Sequence, residues 1–308
     1  MSASDMLILS YISSYGLPIL SLLGLILILM KNFKKVKRKL FTKFLTKFEQ
    51  SYGEAMKIHK EALFAPLDKL ESLDWKLRNE GLIRVLEIGV RTGPHQDLNQ
   101  GSEEQCPRPA ACSNTLLSQE TRLSMMVRSK FRALIRCIEG ENLKYYPRNS
   151  RVTLVDKNVY LQSYLEANSS RISHLKVERF IVSHGDDLRG VPSNSVDVVV
   201  ATLVLCSAAN VGAVLREIRR VLAPGGKYYF MEHVHERSPT FLRTVQLLLS
   251  ASGLWPAVFD GCHLDRDAAR SIERASFKDL SYKYVSVEDS RVPLLNLMKS
   301  HLIGSATK

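Results

Sequence analysis

From residue 84 onward the chain alternates short apolar runs with amphipathic segments. Amphipathic helices are predicted at Tyr160–Asn168 and Val211–Leu222. The apolar runs are rich in β-branched residues and predict strands at Arg84–Ile88, Arg151–Val155, Lys176–Val182, Val196–Ala201, Lys227–Glu232, Leu280–Val287 and about His301–Thr307. Strands separated by helices predict an α/β fold, with a parallel sheet covered by helices on both faces. Ligands bind such sheets beyond the carboxyl ends of the strands.

The first thirty residues follow a different pattern. Met6–Met30 contains 25 residues without a charge, which as a helix is long enough to cross about 30 Å of hydrocarbon. Gly16 and Pro18 can bend this helix, so a full span and insertion into one leaflet both stay open. The acidic start and the position of Lys31 directly after the run argue against a cleaved signal peptide. Residues 1–30 are therefore predicted to be a membrane anchor.

A basic segment follows the predicted anchor. The chain has a net charge of +12, and six of its basic residues lie in Lys31–Lys39. Phe41, Phe44, Leu45, Phe48 and Tyr52 share one helical face, so residues 31–80 are predicted to be a basic juxtamembrane helical region. Basic flanks stay on the cytosolic side and attract anionic headgroups, which makes membrane lipid a predicted partner. Because the excess charge is confined to this segment, no nucleic-acid partner is predicted.

The cysteines give no framework for a disulfide or a metal site. None of the five forms a CxxC pair, and the predicted cytosolic location is reducing. No metal is therefore predicted, and Cys206 and Cys262 are interpreted as small buried residues.

The first predicted strand ends in a glycine turn, RVLEIGVRTG, where a ligand can approach the backbone closely. An acid that binds a ribose is expected about 20 residues further on. Asp156 ends the next strand but lies 67 positions after Gly89. Leaving out the 47 residues of Pro94–Gly140 reduces that separation to 20, so an insertion is predicted at about 94–140.

Two later blocks complete the pattern: SHGDDL after the third strand, and VDVVVATLVLCS followed by LREIRRVLAPGGKYYFMEH. Together with the glycine turn, these resemble the Rossmann-like class I S-adenosylmethionine-dependent methyltransferases. The segments ENLKYYP, FDGCHL and ERASF extend the resemblance to a membrane-anchored methyltransferase-like family of the endoplasmic reticulum and lipid droplets, which is associated with S-methylation of alkyl thiols. The resemblance implies a cytosol-facing methyltransferase domain over residues 81–308, S-adenosylmethionine as cofactor and a small thiol as acceptor.

The resemblance also implies roles for single residues. The cofactor would contact the loop after the first strand, the acids after the second and third strands, and the end of the fourth: Glu87, Gly89, Gly93, Asp156, Asp186, Asp187, Thr202 and Leu203. His233 and Asp260 lie on the acceptor side and are candidate catalytic bases, although either can instead be a packing or capping residue. Trp255 and Phe259 are expected either to line an apolar acceptor pocket or to pack in the core.

One departure from the family pattern falls on the cofactor loop. Arg91 stands where the family has glycine, and a guanidinium is electrostatically unfavourable beside a sulfonium cation. With the insertion, it leads to the hypothesis that this chain binds the cofactor weakly or not at all. The alternative function is then a non-catalytic membrane or lipid-droplet protein that retains the methyltransferase fold. A nicotinamide dehydrogenase is disfavoured because no GxGxxG follows the first strand.

Overall fold

The computed structural model of the protein describes residues 51–89, 142–157, 173–259, 261–287 and 293–308, which lie in one compact unit, Phe48–Lys308. The strands are β1 (Ile83–Ile88), β2 (Ser150–Asp156), β3 (Lys176–Val182), β4 (Val196–Thr202), β5 (Leu222–His233), β6 (Lys278–Ser286) and β7 (Ser300–Thr307). The α-helices are residues 51–64 (α1), Trp75–Asn79 (α2), Val211–Val221 (α3), Phe241–Ala251 (α4), Leu254–Val258 (α5) and Ala268–Glu273 (α6). Short 3-10 helices lie at Ala65–Lys69, Leu143–Tyr145 and Pro293–Met298.

The seven strands form one sheet in the order β3-β2-β1-β4-β5-β7-β6. The first five strands of that order run parallel, which confirms the predicted Rossmann-like α/β fold. The sheet is mixed, so the predicted parallel arrangement fails at one edge, where β7 is antiparallel to both β5 and β6. Residues 287–299 connect β6 to β7, and the described part of this connection holds the 3-10 helix Pro293–Met298. An antiparallel pair can be joined by a connection of this length without a crossover helix.

Apolar side chains cover both faces of the sheet, as the β4 sequence shows. Val198 and Val200 pack into one core with α1 and α5, whereas Val199 and Ala201 pack into the other with α3 and α6. This alternation follows from the period of two residues in a strand. Helices therefore cover both faces, as predicted.

The Pro-Gly-Gly segment gives β5 an irregular start. Helix α3 ends at Val221, and β5 begins at the next residue. The pairing with β4 then jumps from Leu222 to Lys227, which leaves Pro224, Gly225 and Gly226 in a bulge. A Cβ at Gly226 would lie 2.9 Å from the Ala223 carbonyl oxygen, so the bulge requires glycine there.

Several predicted features lie outside the described residues: the anchor of residues 1–30, residues 31–50 of the basic juxtamembrane region, the insertion at 94–140 and the helix Tyr160–Asn168. Within the described ranges, no helix combines the length and apolar character that a membrane span requires. Part of the predicted juxtamembrane region packs onto the sheet, because Tyr52, Met56 and Phe64 of α1 are buried in the core.

Candidate functional site

A cleft of about 210 Å³ opens at the carboxyl ends of the parallel strands, where ligands bind in sheets of this type. The loops after β1, β2, β3 and β4 form its walls. Its lining comprises Ile88, Gly89, Asp156, Lys157, Ser183, His184, Gly185, Asp186, Leu203, Val204, Ser207, Ala208, Ala209, Val214 and Phe259. The predicted cofactor residues Gly89, Asp156, Asp186 and Leu203 therefore meet in one cleft.

Two glycines allow the loops at the base of the cleft to lie close together. Gly89 has φ +67°, and a Cβ there would lie 2.6 Å from Cγ2 of Val204. A Cβ at Gly185 would lie 2.9 Å from Cγ2 of Ile88. The loops after β1, β3 and β4 therefore approach each other at distances that only glycine permits.

Leu203 holds an uncommon backbone conformation directly after β4. Its φ is +56°, in the left-handed region that a branched side chain rarely adopts. Its backbone N–H donates to the Met231 carbonyl at 2.7 Å, which fixes the turn. Strained residues of this kind collect at ligand sites, and Leu203 does line the cleft.

A buried acid at the end of β5 holds the loop that follows Leu203. Glu232 is fully buried, and its carboxylate accepts the backbone N–H groups of Val204 at 2.9 Å, Leu205 at 3.0 Å and Cys206 at 3.3 Å. Burial raises the pKa of Glu232 well above its usual value, and the first two of these hydrogen bonds oppose that rise. Glu232 thus fixes the loop after β4, which forms one wall of the cleft.

The predicted adenine pair separates in the structure. Asp186 lines the cleft, whereas Asp187 does not. Arg189 donates to both carboxylate oxygens of Asp187, at 2.8 Å and 2.7 Å. These bonds lower the pKa of Asp187 to about 2, so this carboxylate is ionised and engaged by its neighbour.

Glu87 belongs to a hydrogen-bonded network beneath the cleft rather than to its lining. Its carboxylate accepts from the Asn142 amide at 2.9 Å and from the Tyr146 hydroxyl at 3.0 Å. The same amide nitrogen donates to the Thr202 hydroxyl at 2.9 Å, which links β1 to β4. Burial raises the pKa of Glu87, and the two hydrogen bonds oppose that rise. The cofactor roles assigned to Glu87 and Thr202 stay predictions, and in this structure both side chains bind Asn142.

His233 is buried at the end of β5 and does not line the cleft. Its Nε2 lies 2.7 Å from the sulfur of Cys262, so its ring faces a cysteine. Phe259 and Trp255 were each expected either in a pocket or in the core. Phe259 lines the cleft, whereas Trp255 is buried and stacks on Phe259 with 4.0 Å between the ring centroids. Asp260 and Gly93 lie outside the described residues.

Sequence reasoning assigned no role to Asn142, Tyr146 or Glu232. All three stand in motifs that carry the family resemblance, ENLKYYP and YYFMEH. Glu232 also follows the run YYFM of β5, and an acid inside a strand of such residues is a pattern that marks a buried acid with a structural task. The network of Glu87 left no such signal, because its members are far apart in the chain.

Comparisons with known proteins agree with this geometry. A protein-family model described as "Methyltransferase domain" matches residues 135–230. The human protein "Thiol S-methyltransferase TMT1A" is 41% identical over 173 residues, which cover 56% of this chain and 68% of the human protein. The mouse protein "Thiol S-methyltransferase TMT1B" is 37% identical over 172 residues, with the same shares of both chains covered.

Among solved structures, a SAM-dependent methyltransferase from Methanosarcina mazei is similar with a TM-score of 0.44 and 14% identity, over 77% of this chain and 98% of that chain. The identity to the human protein over two thirds of its length is decisive for the family. The chain therefore belongs to the thiol S-methyltransferase family of S-adenosylmethionine-dependent methyltransferases.

Proposed function

We propose that this protein transfers a methyl group from S-adenosylmethionine to the sulfur of a small alkyl thiol. The observation that carries the proposal is the 41% identity to a human thiol S-methyltransferase. The cleft at the carboxyl ends of the parallel strands supports it, because four of the eight residues expected around such a cofactor line that cleft: Gly89, Asp156, Asp186 and Leu203.

The residues of the cleft fit this cofactor. Asp156 ends β2 in the cleft, and its carboxylate can accept hydrogen bonds from two ribose hydroxyls. Asp186 can accept one from an adenine amine, and Gly89 leaves the backbone open to close approach. The two carboxylates of the lining outnumber its one lysine, Lys157, and this balance favours a ligand that carries a positive sulfonium. We assign cofactor binding to these three residues and Leu203, with Glu87 and Thr202 positioning the loops through Asn142.

The chemistry asks little of the protein beyond orientation. When bound, S-adenosylmethionine supplies a methyl group on a sulfonium, which a thiolate can displace in line. The thiol of free cysteine has a pKa near 8.5, so an acceptor of similar acidity has a thiolate fraction at neutral pH without a strong base. The chain's task is to hold the acceptor sulfur in line, and proximity of this kind provides most of such an acceleration. Phe259 offers an apolar wall for the alkyl part of the acceptor.

The acceptor class is tested with three compounds of equal chain length: a thiol, an alcohol and an amine. Full-length protein in membranes is given labelled S-adenosylmethionine, and the methylated products are separated by mass spectrometry. We expect a thioether from the thiol and no transfer to the other two. Transfer to the alcohol or the amine at an equal rate would contradict the thiol assignment. No transfer to any acceptor would favour the non-catalytic alternative.

The contribution of Arg91 and the insertion is tested separately by titration calorimetry with S-adenosylmethionine. The matched variant lacks Pro94–Gly140 and carries Arg91→Gly. If these features weaken cofactor binding, the variant binds more tightly than the full chain. Equal affinities would remove that hypothesis and leave the proposed enzyme intact.

We further propose that the protein is anchored in the membrane of the endoplasmic reticulum or in the lipid-droplet monolayer, with its enzymatic domain in the cytosol. The uncharged run Met6–Met30 and the basic segment Lys31–Lys39 support this location. A chain that lacks residues 1–30 should leave the membrane fraction, whereas the full chain should resist alkaline extraction. Retention of the truncated chain would contradict the anchor.

A further inference from the structure

Three buried side chains converge behind the wall of the cleft. The sulfur atoms of Cys206 and Cys262 and a ring nitrogen of His233 all lie within 4.8 Å of one another. Each of these residues is at most 3% exposed. They come from the loop after β4, the end of β5 and the turn after α5, so the fold gathers them from three separate segments.

We propose that Cys206, His233 and Cys262 bind a thiophilic divalent cation of the Zn²⁺ class, whose fourth ligand is the acceptor thiol as its thiolate. Two thiolates and an imidazole are a donor set that Zn²⁺ prefers. Three protein ligands leave one tetrahedral position, as in catalytic rather than structural zinc sites. The choice of the fourth ligand rests on the proposed thiol methylation, whereas the metal site itself does not.

The separations in the cluster suit one tetrahedral ion after small side-chain shifts. Zinc–sulfur and zinc–nitrogen bonds of about 2.3 Å and 2.0 Å place ligand atoms about 3.5–3.8 Å apart. Nε2 of His233 lies 2.7 Å from the Cys262 sulfur, so an ion would replace a shared proton and separate the two atoms. Nδ1 of the same ring has no hydrogen-bond partner among the described residues. The orientation of the imidazole is therefore not opposed by a hydrogen bond at Nδ1.

The surroundings of Cys262 support its role as a ligand. The indole N–H of Trp255 donates to its sulfur at 3.3 Å, the kind of outer hydrogen bond that orients a thiolate ligand. Gly261, with φ +78°, turns the chain back so that the N–H of His263 donates to the Cys206 carbonyl at 2.9 Å. The turn after α5 is thereby joined to the loop that carries Cys206.

The cluster adjoins the cleft, which is where an acceptor would have to reach it. Cys206 follows the lining residue Leu203 closely, and its thiol lies 3.4 Å from the Leu203 carbonyl oxygen. Its neighbour Ser207 lines the cleft, and the two side chains are 3.6 Å apart. The indole of Trp255 stacks on Phe259, which also lines the cleft. One layer of side chains therefore separates the cleft from the proposed ion, and these side chains must move for an acceptor thiolate to become the fourth ligand.

The test measures metal in the full-length protein, purified without chelators, by mass spectrometry of its elements. We expect about one zinc ion per chain, and almost none in the double variant Cys206→Ser/Cys262→Ser. His301→Gln is the matched control, because this buried histidine lies beside His233, with 6.4 Å between ring centroids, yet outside the cluster. Equal zinc in the double variant, or a Cys206–Cys262 disulfide in protein without metal, would overturn the proposal.

A second measurement does not depend on the folding of any variant. Wild-type protein is stripped with a chelator and titrated with Co²⁺, whose absorption reports thiolate ligands and tetrahedral geometry. We expect both signatures, and a change in the visible absorption bands when a small thiol is added. If the signatures are absent, the proposed metal site is wrong. If the bands do not change on addition of the thiol, the acceptor is not the fourth ligand. Full methyl transfer by the stripped protein would contradict a role for the ion while leaving the proposed function standing.

Discussion

At the scale of single residues, Asp156 is the side chain on which cofactor binding most directly depends. Asp156→Asn removes the charge but keeps the size, and loss of charge-assisted hydrogen bonds costs about 1.5–3 kcal/mol. We therefore expect S-adenosylmethionine to bind about 10- to 150-fold more weakly, measured by titration calorimetry. Asp187→Asn is the matched control, since that carboxylate is engaged by Arg189 and does not line the cleft. Equal losses in both variants would contradict the assignment.

His301 gives the protein a pH dependence of stability with a defined sign. Burial lowers its pKa from 6.5 to about 3, so the folded state excludes a proton that the unfolded state accepts. The stabilising effect of the neutral ring is complete above pH 6.5 and is lost as the pH falls from there towards 3. The loss approaches about 1.4 kcal/mol per pH unit.

The check on His301 is urea unfolding at several pH values between 4 and 7. His301→Gln cannot take up the proton, so its free energy of unfolding should fall less steeply with acid than that of the wild type. Tyr52 and Lys299 bond the ring from either side, so the variant is also expected to be less stable at neutral pH. If the free energy of unfolding falls equally with acid in the two proteins, the pKa of His301 is not lowered by folding.

At the scale of elements, a glycine-to-alanine substitution is expected to lower stability in the bulge at the start of β5 and to raise it on the exposed face of α1. Gly226→Ala places a Cβ 2.9 Å and 3.0 Å from two backbone carbonyl oxygens, and overpacking of this kind costs about 1–3 kcal/mol. Gly53→Ala meets no atom within 4 Å and lies in a helix, so it should stabilise by up to about 1 kcal/mol. Thermal unfolding compares the two, and a gain for Gly226→Ala would contradict the described bulge.

The strands show which parts of this fold can be predicted from local sequence patterns. The strand Lys176–Val182 was predicted with its observed bounds, because β-branched runs between turn residues are a local signal. The reversal of β7 was not predicted, since strand direction follows from pairing with β5, which is distant in sequence. The partners of Glu87 and the cluster around His233 escaped prediction for the same reason: their members meet only in the folded chain.

At the scale of the whole molecule, a sheet covered on both faces carries a cleft at the carboxyl ends of its parallel strands. Behind the cleft lie a buried acid that holds one loop and a cluster of two cysteines and a histidine. In the sequence, the basic excess directly follows an uncharged run. The cleft suits an enzyme that methylates small thiols.

The most direct test of this account is the rate of thioether formation by the full-length chain, with labelled S-adenosylmethionine and a small alkyl thiol, between pH 7 and 9. The account predicts a rate that saturates with the cofactor, rises with pH as the bound thiol ionises and levels above the pKa of that thiol, which the proposed ion would lower. Thioether formation no faster than in membranes without the protein, at every pH, would contradict it.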